Sequence, residues 1–537
     1  MRMQGSPAGR WLQGGCASER ANVDFVRSLA QPRTPGSFQP WRGWILAGLA
    51  LAAVAAKSSA AARPPNLVFI MADDLGYNEL GSYGQRVYPT PHTDRLAREG
   101  MRFTDAHSPN AVCSPTRYAV VTGTDPYRRY ATSHVLFNGE PLVIWDGEAT
   151  VASLLRRKGY RTGVVGKWHL GLGDAVPRDL NHPGRGPNEV GFDDAFILAD
   201  GPDMKPAYYL ENGRIVDVAK PAYAARPGLI RRVGYHLIRQ APLGRWEDRR
   251  PANAKGARFA DEAVAFIERH RDRPFFLYFP TCSIHVPFTV DPRFTGKSGI
   301  GPRGDYVMEF DWAVGRVMEA LDRLELADNT LLIVTSDNGG QVNAGRKPEA
   351  EPHPNHPWRG GKGNSWEGGH RVPFLARWPG KVVAGSVNHE TLSLVDLTAT
   401  ACALAGVTLP ADAALDSHNQ LPALLGQTRG RPVRSFTVMG TRGIEHLILR
   451  EGPWKLIHGM ESGRSQLFHL GRDPGEATDL AATEPGKTAK MRAALMRYIE
   501  AGASRPGAQG RPGSLEGLFR ERDERNRMLE TRFGAEG

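Results

Sequence analysis

Cysteine is scarce in this chain, with 4 in 537 residues, at positions 16, 113, 282 and 402. So few thiols, so widely spaced, exclude a disulfide-stapled fold. The chain lacks the low hydrophobicity of a disordered protein and the periodic glycine of collagen, since 41% of it is hydrophobic and its 61 glycines follow no fixed repeat. No repeat of solenoid period is present either. The longest apolar run, residues 44–56, is thirteen residues long and falls short of the roughly 20 needed to span a bilayer. No stable membrane span is expected.

The charge excess is uneven. Of a net +11, the first 62 residues carry +5, from seven basic residues against two acidic ones. Arg42, the apolar run from Trp44 to Ala56, and the small residues Ala60 to Ala62 follow one another in the order of a secretory signal. Residues 1–62 are therefore expected to be a leader, and the mature chain to be periplasmic or secreted. The 40 residues ahead of the signal are long for its first region, so the true start is expected downstream of Met1. The remaining +6 is spread over more than 470 residues, and no nucleic-acid partner is expected. Export leaves Cys113, Cys282 and Cys402; one bridge, Cys282 to Cys402, is open to the chain, but two buried free thiols are the simpler expectation.

From Asn66 onward, short apolar runs alternate with polar loops and helix-like segments. Leu67 to Met71, Gly163 to Val165, Pro274 to Phe279, Leu331 to Thr335 and Val372 to Ala376 read as buried strands. Thr93 to Arg98, Thr150 to Lys158, Ala257 to Arg269 and Tyr306 to Leu324 have helical spacing. This alternation predicts an α/β fold, with a mostly parallel (mixed) central sheet flanked by helices, over residues 63–426. Residues 427–504 read as a smaller C-terminal antiparallel α+β subdomain, with short strands near Ser435, His446 and Lys455 and a helix from Thr488 to Ala501. Residues 505–537, rich in Gly, Pro, Arg and Glu, read as a polar tail. Pro202 to Lys255 reads as a loop-rich insertion with a hairpin at Tyr208 to Gly213.

Two acidic pairs follow buried strands in the same manner. Leu67 to Ala72 leads into Asp73-Asp74, and Leu331 to Ser336 leads into Asp337-Asn338. In an open parallel sheet the ligand site lies beyond the carboxyl ends of strands, so both pairs face one crevice. Either pair alone reads equally well as a helix cap or turn. Together, three carboxylates and an amide oxygen call for a cation, and an all-oxygen donor set suits calcium or magnesium better than zinc. Cys113-Ser114-Pro115-Thr116-Arg117 opens an apolar helix-like run ending at Thr122-Gly123, which places Cys113 at a helix N-terminus. Arg117 comes four residues after Cys113, too close for the phosphate loop of a cysteine phosphatase.

These motifs resemble the type I, formylglycine-dependent sulfatases of the alkaline phosphatase superfamily. The family pattern Cys-x-Pro-Ser/Thr-Arg followed by Thr-Gly is met by Cys113, Pro115, Thr116, Arg117, Thr122 and Gly123, with Val121 where leucine is common. The resemblance continues through Gly166-Lys167-Trp168-His169-Leu170-Gly171, Ile284-His285-Val286-Pro287, Ser336-Asp337-Asn338-Gly339, Gly360-Gly361-Lys362-Gly363 and Trp366-Glu367-Gly368-Gly369. It extends to Leu467-Phe468-His469-Leu470 with Asp473-Pro474-Gly475-Glu476. Within the family the nearest likeness is to arylsulfatase A and N-acetylgalactosamine-6-sulfatase.

The resemblance implies that a separate maturation enzyme converts Cys113 to formylglycine, whose hydrate attacks sulfur with one hydroxyl and expels sulfate by deprotonation of the other. It implies one calcium ion held by Asp73, Asp74, Asp337, Asn338 and the modified Cys113. Arg117 would stabilise the hydrate, Lys167 and Lys362 would bind sulfate oxygens, His169 would take the hydrate proton, and His285 would assist the leaving oxygen. Arg359 lies close enough in sequence to compete with Lys362. His353, His356 and His370 are expected at the solvated rim, and the Tyr208 to Gly213 segment, Trp358 and Trp366 at a sugar or aryl rim. The expected substrate is a sulfated small molecule or glycan. Two other readings stay open: a phosphonate or phosphate ester hydrolase on the same site, and a non-catalytic binder of sulfated glycans.

Overall fold

A computed structural model describes residues 63–129, 132–136, 140–174, 183–202, 209–216, 230–233, 236–239, 255–342 and 353–533, the last six and residues 230–239 by their backbone alone. The predicted leader and Tyr208 lie outside these residues. Arg63–Gly537 forms one compact unit.

The main sheet has ten strands. In chain order they are β1 (Asn66–Ala72), β2 (Met101–Phe103), β3 (Arg161–Lys167), β4 (Asp194–Leu198), β5 (Tyr209–Glu211), β6 (Arg214–Val216), β7 (Phe275–Pro280), β8 (Thr330–Ser336), β9 (Phe374–Arg377) and β10 (Ser386–Asn388). Their order across the sheet is β10-β2-β9-β8-β1-β7-β3-β4-β5-β6. The five central strands, β8 to β4, are parallel. Antiparallel pairings set in at β9 on one side and β5 on the other, so the sheet is mixed, as expected.

β1 shows why the sequence folds this way. Its seven residues are all buried, and alternate side chains enter different cores. Leu67, Phe69 and Met71 pack with Tyr118, Val120 and Val121 of the helix Cys113–Thr122 and with Leu397 and Ala401 of Leu397–Ala405. Val68 and Ile70 pack on the opposite face with Phe259, Ala263 and Phe266 of Lys255–Arg269 and Val307, Phe310 and Val314 of Pro302–Arg323. A strand covered on both faces has no polar side to display, hence the continuous apolar run. Each fully buried large side chain contributes about 1.5–3 kcal/mol.

A second, antiparallel sheet contains β11 (Thr437–Gly440), β12 (His446–Glu451), β13 (Trp454–Gly459) and β14 (Ser465–His469) in sequential order. The helix Pro485–Ala501 covers it through Met491, Leu495 and Ile499. The first three strands and the helix match the sequence reading; the fourth went unread.

The expected polar tail is corrected. Leu515–Phe533 is a helix, and Leu515, Leu518 and Phe519, at i, i+3 and i+4, pack onto the same core. The preceding Arg505 donates to the carbonyls of Pro410, Ala413 and Ala414. The charged exterior of this helix dominates its composition and hides a narrow apolar stripe. Cys113, Cys282 and Cys402 are free and buried, so the Cys282–Cys402 bridge does not form. Among the described residues no helix is long and apolar enough to cross a membrane.

Candidate active site

Every predicted site residue except Cys113, Arg117 and Lys362 lies at or just beyond the carboxyl end of a central parallel strand. Asp73 and Asp74 follow β1, Asp337 and Asn338 follow β8, Lys167 ends β3 with His169 two residues on, and His285 follows β7. Backbone bonding continues past the strands and holds these loops in register. Asp73 N–H donates to Ser283 O at 2.7 Å, Ile284 N–H to Asp73 O at 2.6 Å, Asp337 N–H to Ala72 O at 3.0 Å, and His169 N–H to Ala199 O at 2.9 Å.

The remaining three residues arrive from the two flanks. Cys113 and Arg117 belong to the first turns of Cys113–Thr122. Lys362 precedes the short turn Glu367–His370, on which the loop after β8 rests: Gly339 N–H donates to Gly369 O at 2.9 Å. A Cβ on Gly339 would stand 1.8 Å from the Gly368 carbonyl oxygen, so any other residue there would lift the Asp337-Asn338 loop off its support.

Three carboxylates face three cations in this buried space. Lys167 Nζ lies 2.8 Å from Asp73 Oδ2, and Lys362 Nζ lies 2.7 Å from Asp74 Oδ1. Arg117 donates to Asp337 Oδ2 through Nε at 3.1 Å and Nη2 at 2.7 Å, and to the Lys167 carbonyl through Nη1 at 2.9 Å. Cys113 Sγ is 3.5 Å from Asp73 Oδ1. Of these side chains Lys362 and His285 retain the most exposure, 18% and 11%.

The electrostatics follow from burial set against these partners. Burial alone would raise the Asp73 carboxyl, yet Lys167, His285, Arg117 and Lys362 outweigh it and hold the group well below the usual carboxylate range. Asp74 is lowered too, burial being overcome chiefly by Lys362 and His285. Asp337 is the exception. Burial and repulsion from Asp73 exceed the help of Arg117 and push it up to about 7. The cluster thus carries more carboxylate than its side-chain cations accommodate. Burial also raises the Cys113 thiol, so this cysteine is not a thiolate nucleophile.

The donor set fits a hard divalent cation. Asn338 donates through Nδ2 to Asp74 Oδ1 at 2.7 Å, while its Oδ1 is buried without a hydrogen-bond partner. An orphaned amide oxygen amid three buried carboxylates is what calcium or magnesium would satisfy. Ligand atoms of Asp73, Asp74, Cys113 and His285 also lie within 4.8 Å of one another.

The two histidines differ. His169 Nε2 lies 2.9 Å from the Leu136 carbonyl oxygen, which only an N–H can satisfy, so Nδ1 is the unprotonated nitrogen; it is buried with no partner. Burial, Lys167 and Arg117 hold this imidazole well below its ordinary value. His285 Nδ1 contacts the Val286 carbonyl, and its Nε2 is 3.9 Å from Asp74 Oδ2. Burial and Lys362 lower it as well.

Several expectations change. Lys362, not Arg359, reaches the cluster; the Arg359 guanidinium stacks 3.7 Å from the Trp366 ring centroid and donates to the Glu476 carbonyl. Trp366 packs on Phe468, Trp358 lies between Tyr77 and Arg371, and Tyr209 stacks on Phe196. Trp358 and Trp366 are thus partly buried packing residues. His370 is fully buried and belongs to a second cluster, with His107 and Glu367, that sequence reading missed. Lys455 from β13 fills it, 3.2 Å from both Glu367 Oε1 and His370 Nε2 and 2.6 Å from Glu476 Oε1. An ammonium already occupies the place a metal would take.

A parallel sheet with this constellation at the carboxyl ends of its strands defines an alkaline-phosphatase-like hydrolase. The comparisons narrow the class. The sulfatase family profile matches residues 65–407. The chain is 35% identical over 472 residues to N-acetylgalactosamine-6-O-sulfatase of Bacteroides thetaiotaomicron, covering 78% of this chain and 90% of that one. It is 35% identical over 464 residues to N-acetylgalactosamine-6-sulfatase of Homo sapiens (79% and 83%) and 35% identical over 518 residues to steryl-sulfatase of Mus musculus (81% and 81%). A solved structure concerned with glycosaminoglycan metabolism by Bacteroides thetaiotaomicron superposes with a TM-score of 0.73 at 33% identity, covering 81% and 99%. The chain belongs to the sulfatase family and is a sulfuric ester hydrolase.

Proposed function

We propose that the enzyme removes sulfate from a sulfated carbohydrate of the N-acetylgalactosamine-6-sulfate type, using formylglycine made from Cys113 by a separate maturation enzyme and one calcium ion. The observation that carries the reading is the convergence of Cys113, Asp73, Asp74, Asp337 and the orphaned Asn338 Oδ1 between two lysines. Calcium, held by Asp73, Asp74, Asp337, Asn338 and the residue at 113, would polarise the sulfate and lower the pKa of the attacking hydroxyl.

The other groups act on substrate directly. Lys167 and Lys362 are both held protonated by their carboxylate partners, and each can turn a donor to a sulfate oxygen as charge builds there. His169 offers a neutral imidazole whose free Nδ1 can take a proton. His285 carries its ring proton on Nδ1, so donating to a leaving oxygen through Nε2 requires a second proton there; burial and Lys362 oppose it and the Asp73 and Asp74 carboxylates favour it, with the imidazole held below its ordinary value on balance. Arg117 holds Asp337 and the Lys167 backbone in place. The domain division at 62 and 426, and export directed by the leader, belong to the same reading.

Sulfate release from N-acetylgalactosamine 6-sulfate, a steroid sulfate and 4-nitrophenyl sulfate, beside a phosphonate monoester, tests the function. Turnover of the phosphonate alone would replace the reading, and binding of sulfated glycan without turnover would favour the non-catalytic alternative. Mass spectrometry of the Cys113 peptide from the native host is expected to show an aldehyde in place of the thiol. An intact thiol there would overturn the mechanism.

A further inference from the structure

Asp74 adopts φ +69°, a left-handed conformation that costs a non-glycine residue free energy unless its surroundings enforce it. The enforcing contacts are on both sides of the residue. Its N–H donates to Asp337 Oδ1 at 3.1 Å, and its carbonyl accepts from Arg303 Nη2 at 2.7 Å. The same guanidinium is gripped by Glu79, Nε to Oε1 at 2.6 Å and Nη2 to Oε2 at 2.7 Å. Glu79 Oε2 also accepts from Gly76 N–H at 2.6 Å, so one carboxylate binds both the arginine and the far end of the Asp73–Gly76 loop.

Arg303 and Glu79 are 1% and 4% exposed. Arg303 is the second residue of the helix Pro302–Arg323, where the helix dipole disfavours a cation. Helix stability therefore does not account for an arginine there. A Cβ on Gly340 would stand 2.9 Å from both Arg303 Nη2 and Gly76 Cα, which puts the guanidinium where the loops after β1 and β8 meet. Those two loops supply all four protein oxygen donors of the candidate metal site.

We infer that the buried Arg303–Glu79 pair is a positioning device for the metal site: it fixes the left-handed backbone of Asp74 and joins the two ligand loops, without touching metal or substrate. The inference rests on the calcium reading above. A partner of this kind governs metal affinity by orienting the ligands, and its loss typically weakens affinity about 10–100-fold.

The test is calcium titration of the purified full chain, followed by calorimetry and by the calcium-dependent rise in melting temperature. The double variant Arg303→Met with Glu79→Gln removes both charges together and leaves neither buried alone. Its titration midpoint is expected to move to about 10–100-fold higher calcium, while the melt in EDTA stays cooperative. Arg303→Lys, which keeps a cation beside Glu79 but cannot span Glu79 and the Asp74 carbonyl at once, is expected to shift in the same direction; it carries the comparison should the double variant not fold. An unchanged midpoint with a lowered EDTA melt would make the pair merely structural and overturn the inference. A wild-type chain indifferent to calcium would instead overturn the calcium reading, and this inference with it.

Discussion

Replacing Lys455 by methionine isolates the second buried cluster. The ammonium bridges Glu476 at 2.6 Å and Glu367 at 3.2 Å, and all three side chains are 0% exposed. Removing the cation leaves two carboxylates facing each other without solvent. Glu367 is now held well below the carboxylate range, burial being overcome first by Lys455 and then by Arg371; Glu476 is already raised by burial. Breaking a buried pair from one side costs about 3–5 kcal/mol. With a urea m-value on the order of 4 kcal/mol/M for a chain this large, the unfolding midpoint should fall by about 1 M. The loss has a definite pH dependence. In the variant Glu476, already raised by burial, loses the cation that opposed the rise, so the folded state binds more protons than the unfolded chain and stability falls as pH rises. The deficit relative to wild type should therefore be larger at pH 8 than at pH 5. Adding Glu476→Gln should recover part of it. Urea titrations followed by tryptophan fluorescence at the two pH values decide the matter. A midpoint shift under about 0.1 M at both, equivalent to less than roughly 0.5 kcal/mol, would refute the reasoning, because it would mean that Lys455 does not pair the two glutamates.

Lys362→Ala should lower kcat/KM for a sulfate ester by about 10²–10³; unaltered steady-state kinetics would remove Lys362 from the sulfate site. Glu309 is pushed up to about 7, chiefly by burial. Its folded state holds a proton that the unfolded chain releases near pH 4.5, so its contribution to stability is present below that pH and is lost as pH rises towards 7. Glu309→Gln should therefore gain on wild type by about 1.4 kcal/mol per pH unit across that window, and parallel stability–pH curves would contradict this. Leu518→Ala should cost about 2–3 kcal/mol in a urea melt, whereas a solvated tail would show no change.

The strands that build the sheet and the acidic pairs that follow them were legible because each is a local pattern. A strand buried on both faces must be apolar throughout, and a polar residue directly after it must lie at the crevice, so Leu67–Ala72 with Asp73-Asp74 and Leu331–Ser336 with Asp337-Asn338 announce both fold and site. The Cys113–Gly123 motif is likewise continuous. The surface helix Leu515–Phe533 was obscured because its three apolar contacts are diluted by charge, although their i, i+3, i+4 spacing was present to be read.

Other features have no local signature at all. Arg303 and Glu79 are 224 residues apart, and Arg117 and Asp337 are 220 apart. Trp358 and Trp366 read as binding aromatics in sequence, and in space each is partly buried against neighbouring rings; His370 reads as a rim residue and lies in a closed charge cluster. Sequence alone determined which residue types stand at the ends of which strands, because strand burial imposes a pattern over six or seven neighbours. The tertiary structure decided which of these side chains meet, since pairing energies depend on distance and on exclusion of water, and both are set by packing between segments far apart in the chain.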